Sequence, residues 1–240
     1  MRNSVSTRFA VTRASLSALL IVVLTAVFAA AFQCGMPAPV LAAELKPIRL
    51  PKPDTSGGMP LMQALAHRHT TRAFRDQALP LQTLSNLLWA AFGVNRESMD
   101  SSHPGGRPGR TAPSAMNSQE IELYVVLAEG VYIYDAVQNS LRPVAAGDAR
   151  SKIGAPPAAH AAVTIVYVGP ANVTFEQVDT GFIGQNVYLF AASEGLNAWF
   201  YALHGTQETS AAATALNLDA GHVPLYAQSV GYPPQPLPGN

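Results

Sequence analysis

The chain has 240 residues, 48% of them hydrophobic and only 12% charged. That is enough apolar material for one compact domain with a real core, too little length for two, and far from the composition of a disordered chain. Basic and acidic residues number 15 each, which argues against non-specific nucleic-acid binding.

The first forty-odd residues read as an export signal. Arg2, Arg8 and Arg13 form a basic region without an acid, and Leu16 to Phe32 is an unbroken run of apolar or small residues. Pro37 and Pro39 break the run, and Val40-Leu41-Ala42 supplies small side chains before a cut near Ala42–Ala43. The alternative is an uncleaved anchor; the 17-residue run is at the short end for a span, so cleavage is favoured. The expected location is periplasmic or secreted, with a membrane met only during export. Removing residues 1–42 takes three arginines and no acid, so 12 bases face 15 acids. It also takes Cys34, the only cysteine, and with it any disulfide, thiolate catalysis or cysteine metal site. No lysine or arginine follows Lys152.

Residues 43–59 are rich in proline and glycine and read as a linker or surface arm; residues 60–240 form the domain. Leu61 to Ala66 is a short helix. Arg68-His69-Thr70-Thr71-Arg72-Ala73-Phe74 follows it, with two planar guanidinium forks and two hydroxyls, a composition suited to holding an anion. Leu79 to Phe92 is a helix: Leu81, Leu84, Leu87, Leu88 and Ala91 share a stripe, Pro80 suits the first turn and Gly93 the stop. Asn95 to Pro113 is a long polar loop, a usual place for function. Ile121–Leu127 and Val131–Asp135 are strands of a hairpin, and 141–145 a third. Asp148–Ile153 is a helical turn, and Ala161–Val168 a buried central strand. Thr174–Gly195 is a long helix and Ala198–Leu203 a strand. Thr206–Leu216 is a helix with Thr206 as N-cap. Pro224–Val230 is the last strand. An α/β or α+β layered sheet follows.

His67 and His69 lack a third ligand nearby, so a metal site is not expected, and no side-chain nucleophile stands out. Of the scattered histidines, His204 alone merits a test.

Four blocks together resemble the flavin-dependent nitroreductase family. Arg68 to Phe74 resembles its opening Arg-x-Ser-x-Arg/Lys-x-Phe motif, with Thr70 for serine. Leu84 to Gly93 resembles the helix that follows. Arg110-Thr111-Ala112-Pro113-Ser114-Ala115-Met116-Asn117-Ser118-Gln119 resembles the Pro-Ser-Ser-x-Asn-x-Gln loop. Asp179 to Leu196 resembles the long central helix, and Gly231-Tyr232-Pro233 its last strand's ending. In its middle the chain is similar to the subgroup that includes azoline-forming peptide dehydrogenases, without their extra catalytic residues.

The resemblance implies a three-layer α+β fold, with a mainly antiparallel mixed sheet flanked by helices. It implies FMN at a homodimer interface and small-molecule electron donors and acceptors. Arg68 and Thr70, with His69 in the same loop, would hold the phosphate end, and Arg72 would point at N1 and O2 of the ring. Pro113, Ser114, Ala115 and Asn117 would line the ring and ribityl chain from the other subunit, and Arg110, with Arg107, Arg150 or Lys152, is a candidate substitute for the family's C-terminal phosphate clamp. Main-chain groups near Tyr201 to Leu203, with Ala202 and Leu203 at their centre, would face N5. Two departures stand out: no basic pair near the C-terminus, and Pro156-Pro157 about where the family has an asparagine and a lysine. Two functions stay open: an FMN-dependent oxidoreductase, or an exported flavin-fold protein with weak or lost cofactor binding that acts as an interaction module.

Overall fold

The computed structural model describes residues 45–96, 107–154, 156–171, 174–203 and 205–234. The expected export signal, Cys34, His103, His204, residues 97–106 of the polar loop and the last six residues lie outside them. Nine strands are present: β1 (Ile48–Arg49), β2 (Val94–Arg96), β3 (Gly109–Arg110), β4 (Glu122–Val126), β5 (Gly130–Asp135), β6 (Ser140–Ala146), β7 (Val163–Pro170), β8 (Asn197–Ala202) and β9 (His222–Gly231). Four α-helices join them: α1 (Leu61–His67), α2 (Leu81–Phe92), α3 (Glu176–Ser193) and α4 (Gly205–Ala215). Short 3-10 turns occupy Ala115–Asn117, Arg150–Lys152 and Pro156–His160.

Seven strands form one sheet in the order β1-β6-β5-β4-β7-β9-β8. All of its pairings are antiparallel, so the sheet expected to be mixed has no parallel pair among the described residues. β7 is buried on both faces. Its alternation divides the core in two. Val163, Ile165 and Tyr167 join Leu123 and Val125, under Leu84, Leu87 and Leu88 of α2 and Ile183 and Val187 of α3. Val166 and Val168 join Tyr124 and Val126 on the opposite face, under Ala212 of α4 and Leu216. Helices therefore cover both faces, as the three-layer expectation requires.

The helix ends follow local chemistry. Pro80 is the N-cap of α2 and stands just outside its first turn; the Gly93 amide closes the other end on the Trp89 carbonyl. α3 begins at Glu176, not Thr174, and carries Glu176 and Asp179 in its first turn, where the helix dipole favours anions. Past its end Gly195 adopts φ +65 and the Leu196 amide reaches back to the Ala191 carbonyl at 2.8 Å. That reversal needs a residue at ease in the left-handed region. α4 begins at Gly205, so Thr206 lies inside the first turn and is not the N-cap expected of it.

Residues 45–59, the described part of the expected linker or arm, are built into the domain. β1 is their contribution to the sheet edge, and Leu50 is buried. The Pro51 carbonyl accepts from Ser85 Oγ at 2.5 Å and from Asn139 Nδ2 at 2.8 Å. Farther on, the Met59 amide donates to Ser193 Oγ at 2.6 Å, so the arm crosses from α2 to α3. Its apolar positions are too few and irregular for periodicity to reveal this.

Arg150 is buried at 7% exposure. It donates from Nη1 to the Ala161 carbonyl at 2.7 Å and grips the Asp148 carboxylate through Nε and Nη2. The guanidinium holds the Asp148 carboxyl below the usual aspartate value of 3.8. The sign follows from linkage: the pair stabilises the fold above that value and loses its contribution as pH falls through the depressed folded value. Asp148→Asn is expected to flatten the acid limb of a melting-temperature profile. An acid limb identical to wild type would show that the pair contributes nothing to the pH dependence.

Candidate functional site

Residues 68–75 form an extended strap beside the open edge of the sheet. β8 ends the sheet, and among the described strands only β9 pairs with it. The strap closes part of its free side: the Thr71 amide donates to the Ala198 carbonyl at 3.0 Å, Asn197 Nδ2 to the Ala73 carbonyl at 2.7 Å, and the Arg75 amide to the Tyr232 carbonyl at 2.9 Å. In an antiparallel strand both main-chain groups of alternate residues point the same way. Ala198 accepts on the outer side, and the Phe200 amide donates on it to Tyr188 Oη at 2.8 Å. Ala202, two residues on, therefore directs its N–H and C=O outward from the edge. Leu203 follows it and is buried.

The strap's cations are well placed for an anion. The Arg68 guanidinium lies 5.4 Å from the centre of the Tyr188 ring, and that of Arg72 lies 5.6 Å from the centre of the Trp199 ring. Among the described residues neither has a carboxylate within ion-pair distance, unlike Arg150. Stacking on an aromatic face orients a guanidinium while leaving its N–H fork available. Thr70 Oγ1 sits 2.9 Å from Tyr188 Oη. His69 is exposed and turns Nδ1 back to the His67 carbonyl at 2.6 Å.

Behind the edge, polar groups lock β8 and α3 in place. Tyr201 Oη donates to the Ile153 carbonyl at 3.2 Å and lies 3.2 Å from Ser229 Oγ. Tyr167 Oη donates to Gln228 Oε1 at 2.6 Å, and Gln228 Nε2 to the Gly184 carbonyl at 3.2 Å. Burial pushes both phenols up, so both stay protonated donors. A Cβ at Gly184 would stand 2.8 Å from the Phe200 ring, so glycine lets α3 approach β8 this closely.

The second predicted set lies elsewhere. Pro113 to Gln119 fold into a loop in which Met116, Asn117 and Gln119 all have positive φ. The Ala115 amide donates to both carboxylate oxygens of buried Asp179 at 3.0 Å. Ser114 Oγ accepts from the Gln119 amide at 2.7 Å. Arg110 is tied into the same lobe, with Nε to Gln119 Oε1 at 2.8 Å and Nη1 to the Phe92 carbonyl at 3.2 Å. Burial lowers its pKa without threatening its charge. Asp179 and Tyr188 are nine residues apart, roughly 13 Å along the helix. The loop thus holds the first turns of α3 while the strap holds its later turns, and one chain does not bring Asn117 to Arg68.

Cavities of about 730 and 590 Å³ do occur, the first at Ala145–Ala149, Lys152 and α4, the second between the arm, α2 and α3. Neither is lined by any of the predicted flavin residues, so volume alone points away from the strap. Residue chemistry is the better guide where a site is shared by two chains. Thr71 Oγ1 of the strap and Asn117 Nδ2 of the loop are both buried without a hydrogen-bond partner. Such orphans are rare in a native fold and call for a partner such as an ordered water, an ion, a ligand or a second chain; Arg75 Nε, Glu120 Oε1 and Glu176 Oε2 share the condition. Sequence reasoning missed Asp179 and Tyr188 as supports. The signal for Asp179 was an acid in a helix's first turn; Tyr188 sits in an apolar run (Val187 to Phe190) that hides its hydroxyl.

A sequence model of the nitroreductase family matches residues 65–232. A solved structure of a candidate nitroreductase from Ralstonia eutropha JMP134 is 34% identical, with TM-score 0.68, over 84% of this chain and 96% of that one. A candidate nitroreductase of Methanocaldococcus jannaschii is 28% identical over 158 residues, 57% of this chain and 75% of its own. A chain of the Escherichia coli microcin synthetase complex, solved with a truncated microcin precursor, is 22% identical, with TM-score 0.52, over 90% of this chain and 93% of that one. At that identity the last likeness is one of fold alone.

Proposed function

Because this chain belongs to the nitroreductase family of oxidoreductases, we propose that it is an FMN-dependent enzyme working as a homodimer. It takes hydride or electrons from a reduced donor, NAD(P)H or another. It passes them to a nitroaromatic, quinone or similar acceptor in a ping-pong cycle. The carrying observation is the pairing of two cations free of carboxylate partners, Arg68 and Arg72, with the outward main-chain groups of Ala202 at an open strand edge.

In this reading Arg68 and Thr70 hold the flavin's phosphate end, with His69 beside them. Arg72 places its charge at N1 and O2, where it stabilises negative charge on the ring. Ala202 and Leu203 offer main-chain groups to the N5 edge. Pro113, Ser114, Ala115 and Asn117 of the partner subunit close the ring and ribityl chain from the other side. Arg110 supports that loop through Gln119. Bound FMN supplies the hydride and electron chemistry, so no side-chain nucleophile is required.

One observation favours the second reading, an exported flavin-fold module with weak or lost cofactor binding. No lysine or arginine follows Lys152, and Arg107, Arg110 and Arg150 donate to groups of their own chain. A visible spectrum of the purified protein and an FMN fluorescence titration separate the two. A flavin band or saturable quenching is expected; neither, with FMN in excess, leaves only the module. Export places the enzyme outside the cytoplasm, where the reduced donor has to be supplied. N-terminal sequencing of the mature protein is expected to begin near Ala43.

A further inference from the structure

We propose that Tyr188 is a positioning residue that fixes the Thr70 hydroxyl as a donor toward the flavin's phosphate end, making the site selective for a phosphorylated flavin over riboflavin. The inference rests on the flavin reading above.

The Phe200 amide can only donate, and it donates to Tyr188 Oη at 2.8 Å. The phenol oxygen therefore accepts there, and its own proton needs an acceptor. Thr70 Oγ1, 2.9 Å away, is the acceptor that the described residues place beside it. A phenol is a stronger donor than an aliphatic alcohol, so the proton lies on the tyrosine side of this contact. The order runs from the Phe200 amide to Tyr188 to Thr70, and each bond polarises the next. Thr70 is then left with an O–H that has no acceptor among the described residues.

The same ring carries the cation. Arg68 stacks on Tyr188 and has no carboxylate partner among the described residues. One side chain from α3 thus supports a directed hydroxyl and a guanidinium, the two donors a phosphate monoester needs. Phenylalanine at this position would keep the packing and the stack under Arg68. It would lose the directing hydroxyl and leave the Phe200 amide unpaired.

The test compares FMN with riboflavin by fluorescence quenching on the intact protein. Tyr188→Phe is expected to weaken FMN binding about tenfold, the loss of one charge-assisted hydrogen bond, and to leave riboflavin within about twofold. Thr70→Val is expected to do the same, Thr70→Ser to restore the FMN preference, and the Tyr188→Phe/Thr70→Val pair to add little to Thr70→Val alone. Equal loss for both flavins, unchanged FMN affinity or fully additive losses would each overturn the proposal. Should Tyr188→Phe fail to fold, the Val and Ser variants of Thr70 carry the same comparison from the strap; a Thr70→Val protein that keeps the FMN preference overturns it. A wild-type protein that binds neither flavin removes the flavin reading itself.

Discussion

Replacing Phe182 with glutamate is expected to yield a monomer that no longer binds FMN. Phe175, Val178 and Phe182 follow one stripe along the first turns of α3, at 41%, 51% and 42% exposure. Beside them the Pro113–Gln119 loop, tied to Asp179, carries Met116 at 85% exposure. An apolar patch of this kind on a folded chain marks an interaction surface. Its position matters more than its size. The residues expected to reach into a partner's flavin site are held on the helix turns that carry the patch. In the proposed homodimer, a second copy seated there would bring Asn117 of one chain toward the strap of the other. A glutamate in that contact has to be desolvated without a partner, at a cost of several kcal/mol. Sedimentation equilibrium and FMN titration read the two losses separately. A Phe182→Glu monomer with wild-type FMN affinity would dissociate the site from the dimer and sink the shared arrangement.

The second large effect is expected at Arg68. Arg68→Ala should weaken FMN binding by about 1.5–3 kcal/mol, the value of a hydrogen bond to a charged group, or roughly ten- to over one hundred-fold. The charge map sharpens this. With no lysine or arginine after Lys152 and Arg110 tied to Gln119 and Phe92, the strap would carry the proposed flavin's negative charge with little help. Added salt should reduce the wild-type affinity and have less effect on Arg68→Ala. Unchanged affinity in the variant would mean that the phosphate lies elsewhere. Arg72→Ala offers a contrast: its cation is proposed to face the ring, so its loss should lower the flavin's midpoint potential more than its affinity.

The order of elements was legible in the sequence because each rests on local chemistry. The stripe of Leu84, Leu87, Leu88 and Ala91, the continuous run of β7 and the glycine stops at Gly93 and Gly195 need no distant partner to be recognised. The strap and loop motifs were legible for the same reason, as was the absence of late cations. What escaped was long-range. The arm became β1 because Asn139, 88 residues from Pro51, and Ser85 satisfy its carbonyl. The division of the two site lobes along α3 depends on which turn each loop meets, Asp179 or Tyr188, and that is decided by packing. The direction of the Thr70 hydroxyl depends on an amide 130 positions away, at Phe200. Composition and periodicity report what a segment favours by itself. Which donors are left without an acceptor, and which faces without a cover, is settled only when distant segments meet.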